Sequence, residues 1–236
     1  MQIFYTPDIV ERPELPEDEA HHALRVLRLR EGDELLLTDG RGFFYRAVLL
    51  APRPRQCAVR VLERYAQPPL RSFHLHIAVA PTKQMERMGW FCEKATEIGL
   101  DAITFLHCRF SERHDIQTSR LEKILTAAMK QSGKALRPVL SRGMAPFSTF
   151  IRQPFAGNKY IAHCRGNEKP LLAQIYPRGS DALILTGPEG DFSPEEIDEA
   201  LALGFQPISL GQSRLRTETA ALAACHTLHV LNSIGD

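Results

Sequence analysis

Residues 1–69 alternate between short apolar and polar runs, a pattern typical of β-strands with one buried face. The run Asp39-Gly40-Arg41-Gly42 predicts a hairpin, because glycine readily adopts the positive φ that tight turns require. One helix is predicted over Asp18–Leu29, with small and apolar side chains on one side. The predicted strands, which would form a small antiparallel sheet or barrel, are Ile3–Thr6, Glu34–Thr38, Phe43–Leu50 and Gln56–Tyr65.

After the stiff break Ala66-Gln67-Pro68-Pro69, strands alternate with helices, which is typical of a mostly parallel sheet. The fold class predicted is therefore α/β, with one domain over residues 1–69 and a second over residues 70–236. The predicted strands of the second domain are His74–Ala80, Ala102–His107, Lys159–Cys164, Ala182–Thr186 and Pro207–Leu210. Its predicted helices are Gln84–Gly99, Ser119–Gly133, Pro194–Leu203 and Thr217–Asn232.

Two helix starts carry capping signals. Ser119 with Glu122, and Ser193 with Glu196, have the spacing at which a serine hydroxyl and a returning carboxylate each bind a free backbone amide. Pro194 suits the first helical position, because a backbone N–H at that position has no acceptor within the helix, so proline loses no hydrogen bond by lacking it. The second signal therefore predicts a helix that begins at Pro194.

The composition is that of a folded protein in a reducing compartment. The chain has 236 residues, 44% of them hydrophobic and 24% charged, with a formal net charge of +1. Its five cysteines are odd in number and never spaced as CxxC, which argues against a disulfide framework and a zinc knuckle. The N-terminal residues lack the basic and apolar regions of a signal peptide. We therefore expect a cytoplasmic protein with no membrane partner and no metal.

Arginine is concentrated between residues 41 and 64. Two interpretations stay open for this segment: a solvated strand face, or a surface that contacts the phosphates of a nucleic acid. A single acid, Glu63, accompanies its six arginines, which are Arg41, Arg46, Arg53, Arg55, Arg60 and Arg64.

Two segments join a predicted strand to a predicted helix, the position at which open α/β sheets bind ligands. Residues 185–192 read LTGPEGDF, which is neither a P-loop nor a GxGxxG fingerprint. Residues 209–221 read SLGQSRLRTETAA, in which Thr217 is interpreted as the helix N-cap and Glu218 as a partner of the helix dipole. Ordinary turns and capping would explain these features, but not the adjacent Arg214 and Arg216.

These two segments resemble the closing motifs of the SPOUT superfamily of knotted RNA methyltransferases, and within it the ribosomal RNA small-subunit methyltransferase E family. Further stretches resemble the same family and extend the likeness along the whole chain. They are HHALRVLR at 21–28, EGD at 31–33, Lys83 with EKATEIGL at 93–100, Gln131-Ser132 and Pro138.

The resemblance implies a PUA-like β-barrel for RNA, followed by a SPOUT α/β domain with a deep trefoil knot that binds S-adenosylmethionine. It implies a homodimer that methylates uridine N3 in 16S ribosomal RNA near the decoding centre, at position 1498. The partner would be the small-subunit RNA or the assembled 30S subunit. Three alternatives stay open. They are a non-catalytic RNA-binding protein, a SPOUT methyltransferase that acts on another RNA site, and a nucleotide- or phosphate-binding α/β enzyme.

The resemblance also implies site residues. The cofactor would contact Leu185, Gly187, Pro188, Glu189, Gly190, Leu210, Gly211, Leu215, Thr217, Glu218, Thr219 and Ala220. RNA would contact His22, Arg25, Arg46, Arg55, Arg60, Lys83 and Arg109.

The chemistry of the implied reaction suggests catalytic roles. Uridine N3 must lose a proton, which requires a general base or a cation beside the developing anion. Arg216 is the candidate cation and Glu218 or Glu189 the candidate base. Glu189 shaping its loop and Glu218 capping its helix are the alternatives. No metal is needed, because the sulfonium electrophile is already charged.

The chain departs from the family pattern at three places. Asp191 stands where a second glycine is usual, at the cofactor loop. Lys130 stands where a glutamate often precedes Gln-Ser, and Cys108-Arg109 where an arginine-serine pair is more common; both are expected to bear on RNA contacts.

Some residues that could carry chemistry have a simpler interpretation. Cys108 and Cys164 each follow a histidine at the end of a predicted strand, but buried cysteines are commoner than nucleophilic ones. The single Trp90 is interpreted as a packing residue of its helix.

Overall fold

The computed structural model describes residues 2–50, 57–166 and 168–234. The chain forms two compact units, one made of Met1–Pro69 with Leu125–Arg137 and the other of Leu70–Ile124 with Pro138–Asp236. Residues 125–137, expected in the second domain, belong to the first unit. One reason is Ala135, whose carbonyl accepts hydrogen bonds from Thr38 Oγ1 at 3.1 Å and from the Gly42 amide at 2.9 Å.

The first unit contains a five-stranded sheet in the order β1-β3-β4-β5-β2. Strand β1 is parallel to β3, and the other neighbours are antiparallel. The strands are β1 (Ile3–Tyr5), β2 (Glu14–Leu15), β3 (Glu34–Thr38), β4 (Phe43–Leu49) and β5 (Cys57–Ala66). The hairpin predicted at residues 39–42 joins β3 to β4, whereas the two-residue β2 was not predicted.

The helix predicted over Asp18–Leu29 is wrong in length. Helix α1 spans Glu17–His21 and continues as a single π-helical turn over His22–Val26. Arg28 then adopts φ +57°, a left-handed conformation in which a helix cannot continue.

The second unit contains a six-stranded sheet in the order β11-β9-β10-β6-β7-β8, with every neighbouring pair parallel. Its strands are β6 (Leu75–Val79), β7 (Ala102–His107), β8 (Val139–Pro146), β9 (Asn158–Ala162), β10 (Ala182–Thr186) and β11 (Gln206–Ile208). The helices after α1 are α2 (Met85–Ile98), α3 (Thr118–Gln131), α4 (Phe147–Phe150), α5 (Leu172–Ile175), α6 (Pro194–Ala202) and α7 (Thr217–Ser233). The parallel sheet predicted from the sequence is present.

The capping box at α6 is confirmed. The Glu196 amide donates to Ser193 Oγ at 3.2 Å, and Glu196 Oε2 accepts from the Ser193 amide at 2.8 Å. At α3 the helix already begins at Thr118, so Ser119 lies inside it and is not the N-cap. None of the helices among the described residues combines the length and apolar character that a membrane span requires.

Lys130, expected to bear on RNA contacts, belongs to the first unit. Its ammonium forms an ion pair with Glu19, and both side chains are largely buried. The lysine therefore stabilises this unit by pairing with an acid of α1.

His76 on β6 makes the folded state sensitive to acid. Burial lowers the pKa of His76 from 6.5 to about 4; neighbouring His74 lowers it further and Asp101 opposes the shift. Between these values the unfolded chain binds the extra proton, so stability falls as the pH falls. We expect about 2 kcal/mol of destabilisation from this group between pH 7 and pH 5.

Urea unfolding at both pH values, for the wild type and His76→Gln, measures this contribution. The variant is expected to lose about 2 kcal/mol less than the wild type on acidification. An equal loss in both proteins would contradict the assignment to His76.

Candidate active site

Three neighbouring strands of the parallel sheet end level with one another. Ala162, the last residue of β9, pairs with Thr186 at the end of β10 and with Ile208 at the end of β11. The segments that follow these strands line a cleft of about 890 Å³. The cleft thus lies at the carboxyl edge of the sheet, where ligands bind in open α/β folds.

Asp191 connects two of these segments. It adopts φ +67°, a left-handed conformation that explains why glycine is usual at this position. Its carboxylate accepts hydrogen bonds from the Phe192 amide at 2.8 Å and, through the other oxygen, from the Cys164 amide at 2.9 Å. The departure from glycine therefore ties the segment after β10 to the segment after β9.

The glycines of the GPEG run are required by close packing. A Cβ on Gly187 would lie 3.1 Å from the Phe192 ring, and one on Gly190 would lie 3.1 Å from Cβ of Phe110. Both distances are tighter than ordinary van der Waals contact, so larger residues would displace the segment from the edge of the cleft.

The start of α7 is held against the same run by Thr217. Its hydroxyl donates to the carbonyl of Gly187 at 2.9 Å. The prediction that Thr217 is the N-cap is wrong: Arg216 occupies that position, without a side-chain cap, and Thr217 is the first helical residue. The hydroxyl is used to join two walls of the cleft instead.

Glu218 is the most unusual group in the cleft. The residue is only 6% exposed, and its Oε1 lies 3.8 Å from Nε of Arg87 on α2. Its Oε2 is buried without a hydrogen-bond partner among the described residues. Leaving such an oxygen unpaired costs about 1–3 kcal/mol, and two other residues of the cleft, His163 and Thr186, also carry buried polar atoms without a partner among the described residues.

Glu189 is more exposed than Glu218, and its carboxylate has a hydrogen-bond partner in the segment after β6. Its Oε1 accepts a hydrogen bond from the backbone amide of Lys83 at 3.2 Å. This contact favours the interpretation of Glu189 as a residue that shapes the GPEG segment.

Comparison with known proteins identifies the family. The family model described as RNA methyltransferase domain matches residues 69–229, and the family model described as RNA methyltransferase PUA domain matches residues 15–62. The chain is 31% identical over 233 residues to ribosomal RNA small subunit methyltransferase E of Mycobacterium bovis, covering 93% of this chain and 86% of the relative. The chain belongs to the ribosomal RNA small subunit methyltransferase E family.

Solved structures agree with this membership. A Porphyromonas gingivalis protein described as a probable rRNA-methyltransferase is 46% identical, with a TM-score of 0.94 and 99% coverage of both chains. A methyltransferase E from Neisseria gonorrhoeae, bound to S-adenosyl methionine, is 26% identical, with a TM-score of 0.83 and 98% coverage of both chains. The predicted architecture, a PUA-like unit and an α/β methyltransferase unit, is confirmed.

Most residues that the family resemblance assigned to the cofactor lie in the cleft. Leu185 is an exception, since it is fully buried within β10, and Thr219 is not among the lining residues. The three catalytic candidates, Arg216, Glu218 and Glu189, all line it. So do Gly187, Pro188, Gly190, Leu210, Gly211, Leu215, Thr217 and Ala220.

The residues expected to contact RNA belong to both units. His22, Arg25, Arg46 and Arg60 belong to the first unit, whereas Lys83 and Arg109 belong to the second, and Arg55 lies outside the described residues. Arg46 is already paired, since its guanidinium lies 3.2 Å from Glu63 and 3.4 Å from Glu34. These contacts favour the solvated-face interpretation for Arg46, while Arg60 is exposed.

Sequence reasoning missed the wall contributed by residues after β9. His163, Cys164 and Arg165 line the cleft. Burial, assisted by nearby Lys169, lowers the pKa of His163, and Asp191 opposes the shift. Cys164 is exposed, which makes the expectation of a buried cysteine wrong there, although it holds for Cys108. This methyltransferase family member thus places an accessible thiol at the cleft.

Proposed function

We propose that this chain methylates N3 of a uridine in small-subunit ribosomal RNA, at position 1498, with S-adenosylmethionine as the methyl donor. The observation that carries the proposal is the buried Glu218 carboxylate, with one oxygen unpaired among the described residues, in a cleft that Arg216 also lines and that is built from the two family motifs. The proposal includes a cytoplasmic homodimer with the family's trefoil knot, acting on the RNA alone or within the 30S subunit.

The residues of the cleft fit the cofactor. The glycine-rich segment after β10 exposes backbone groups, Leu210 and Leu215 contribute apolar surface, and Glu218 contributes a carboxylate suited to a cationic ligand. A volume of about 890 Å³ leaves room for a nucleobase as well, since ligand sites commonly span roughly 300–1,000 Å³. When bound, S-adenosylmethionine supplies an electrophilic methyl group on a charged sulfonium, so no metal is required.

In this reaction the residues of the chain position the uracil and remove the proton from its N3. Glu218 is the proposed general base for N3–H, because the residue lines the cleft and its Oε2 is buried without a hydrogen-bond partner among the described residues. Arg216 is exposed at the same cleft and stabilises the negative charge that develops on the uracil oxygens. Glu189 holds its loop through the Lys83 amide.

The test is transfer of isotopically labelled methyl from S-adenosylmethionine, in the presence of a chelator, to 16S RNA and to 30S subunits from cells lacking this modification. We expect 3-methyluridine as the labelled nucleoside by mass spectrometry. The parallel reaction without the chain is the control. A different methylated nucleoside would contradict the proposed substrate, and RNA binding without any transfer would favour the non-catalytic alternative.

A further inference from the structure

Phe110 is an exposed aromatic residue at the edge of the cleft. It lies in the segment after β7 and is 41% exposed, yet its Cβ packs against Gly190 of the GPEG run. Single exposed apolar side chains are ordinary on protein surfaces, so what distinguishes Phe110 is its fixed position beside Gly190, a residue that lines the cleft.

The turn that carries Phe110 is anchored on both sides. The Cys108 amide donates to Ser111 Oγ at 3.0 Å, and the Ser111 amide donates to the Cys108 carbonyl at 3.1 Å. The Arg109 amide donates to Glu196 Oε1 at 2.8 Å. Because Cys108 and Ser111 are buried, the turn displays residues 109 and 110 outward in a fixed position.

Arg165 supplies a planar cation next to this ring. Its Cζ lies 5.9 Å from the centroid of Phe110, and the residue lines the cleft from the segment after β9. Both Arg165 and Arg109 are exposed, and neither forms an ion pair within the described part of the chain. The rim therefore combines an aromatic face with two exposed arginines, near which Glu195 is an acidic neighbour.

We propose that Phe110 and Arg165 form a stacking site for an unpaired nucleobase of the substrate RNA, adjacent to the uridine that enters the cleft. This rests on the proposed function. Proteins bind splayed-out bases by stacking them on aromatic rings and guanidinium planes. The flanking arginines suit the phosphates on either side of such a base, whereas an apolar protein partner would offer these two exposed guanidinium groups no anion.

Removal of the ring tests the site. Phe110→Ala is expected to raise the Kd and the KM for RNA by roughly 5- to 100-fold, with kcat and S-adenosylmethionine affinity within about twofold of the wild type. Phe110→Tyr should restore binding, because any aromatic face stacks. Leu201→Ala, which removes a 39% exposed apolar side chain from α6, is the matched control and should bind RNA normally.

Arg165→Lys separates stacking from charge. Lysine keeps the charge but loses the plane, so we expect weakened RNA binding with an unchanged salt dependence. Full affinity in Arg165→Lys would contradict stacking by the guanidinium.

A spectroscopic measurement reports the contact directly. The chain has one tryptophan, Trp90, which was expected to be a packing residue of its helix and is 43% exposed. In Trp90→Phe/Phe110→Trp the single reporter stands at position 110, and a stacked base should quench its fluorescence on addition of RNA. The wild type, with Trp90 alone, should show no such quenching.

Three outcomes would overturn the proposal. They are an unquenched Trp at 110, a normal RNA affinity of Phe110→Ala, or dissociation of a dimer by Phe110→Ala with unchanged RNA affinity, which would assign Phe110 to a second copy of this chain. Methyl transfer by the wild type on the same RNA is measured in parallel. Quenching without transfer would therefore reject the proposed function while supporting the stacking site.

Discussion

Glu218→Gln is expected to lower the single-turnover rate of methyl transfer by about 10²- to 10⁴-fold, the range of a general base. The free energy of unfolding should not fall with it. The wild-type carboxylate has one oxygen without a hydrogen-bond partner among the described residues and the other 3.8 Å from Nε of Arg87, so no short hydrogen bond among those residues is lost with it. Glutamine keeps the shape and removes the charge.

Rate and stability are measured on the same preparations, with RNA and cofactor saturating in the rate assay. Glu189→Gln is the matched control: its carboxylate lines the same cleft but bonds the Lys83 amide, so we expect a loss of only a few fold. A larger loss in Glu189→Gln than in Glu218→Gln would exchange the two roles. A marked loss of stability in Glu218→Gln would make its carboxylate a structural group.

The sequence predicted those elements whose signal is local. Ala102–His107 and Ala182–Thr186 have the predicted bounds in the structure, because each is a short apolar run between turn residues. Strand β8 was missed because its residues are mostly half-buried or exposed and include Gly143 at φ +69°. It is an edge strand, which forms by pairing with β7 and leaves no alternating pattern.

The segments of the candidate site likewise fall into those with a local sequence signal and those without one. The segments after β10 and β11 could be found because the glycines of both, and the Ser193 cap of the helix that follows β10, are visible in the sequence. The segment after β9 reads HCRG, which contains no recognisable motif. It reaches the cleft only because β9 lies between β10 and β11 in the sheet, and strand order is decided by tertiary packing rather than by local sequence.

Arg216 and the arginines of the first unit should affect different steps. Arg216→Ala is expected to reduce the single-turnover rate on the order of 10²-fold, as the loss of one oxyanion-type donor does, with little change in RNA affinity. Arg216 is exposed at the cleft and makes no ion pair among the described residues. The double change Arg46→Ala/Arg60→Ala should leave the rate at saturating RNA unchanged.

RNA affinity, its salt dependence and the transfer rate are measured for both variants. If the first unit contacts phosphates, the double variant lowers the log–log salt slope by about 0.7–0.9 per lost contact. Arg60 should account for most of that change, because Arg46 is already paired with Glu34 and Glu63. An Arg216→Ala enzyme that binds RNA weakly but transfers methyl at the normal rate once bound would make Arg216 a phosphate contact, leaving charge stabilisation to another group of the cleft.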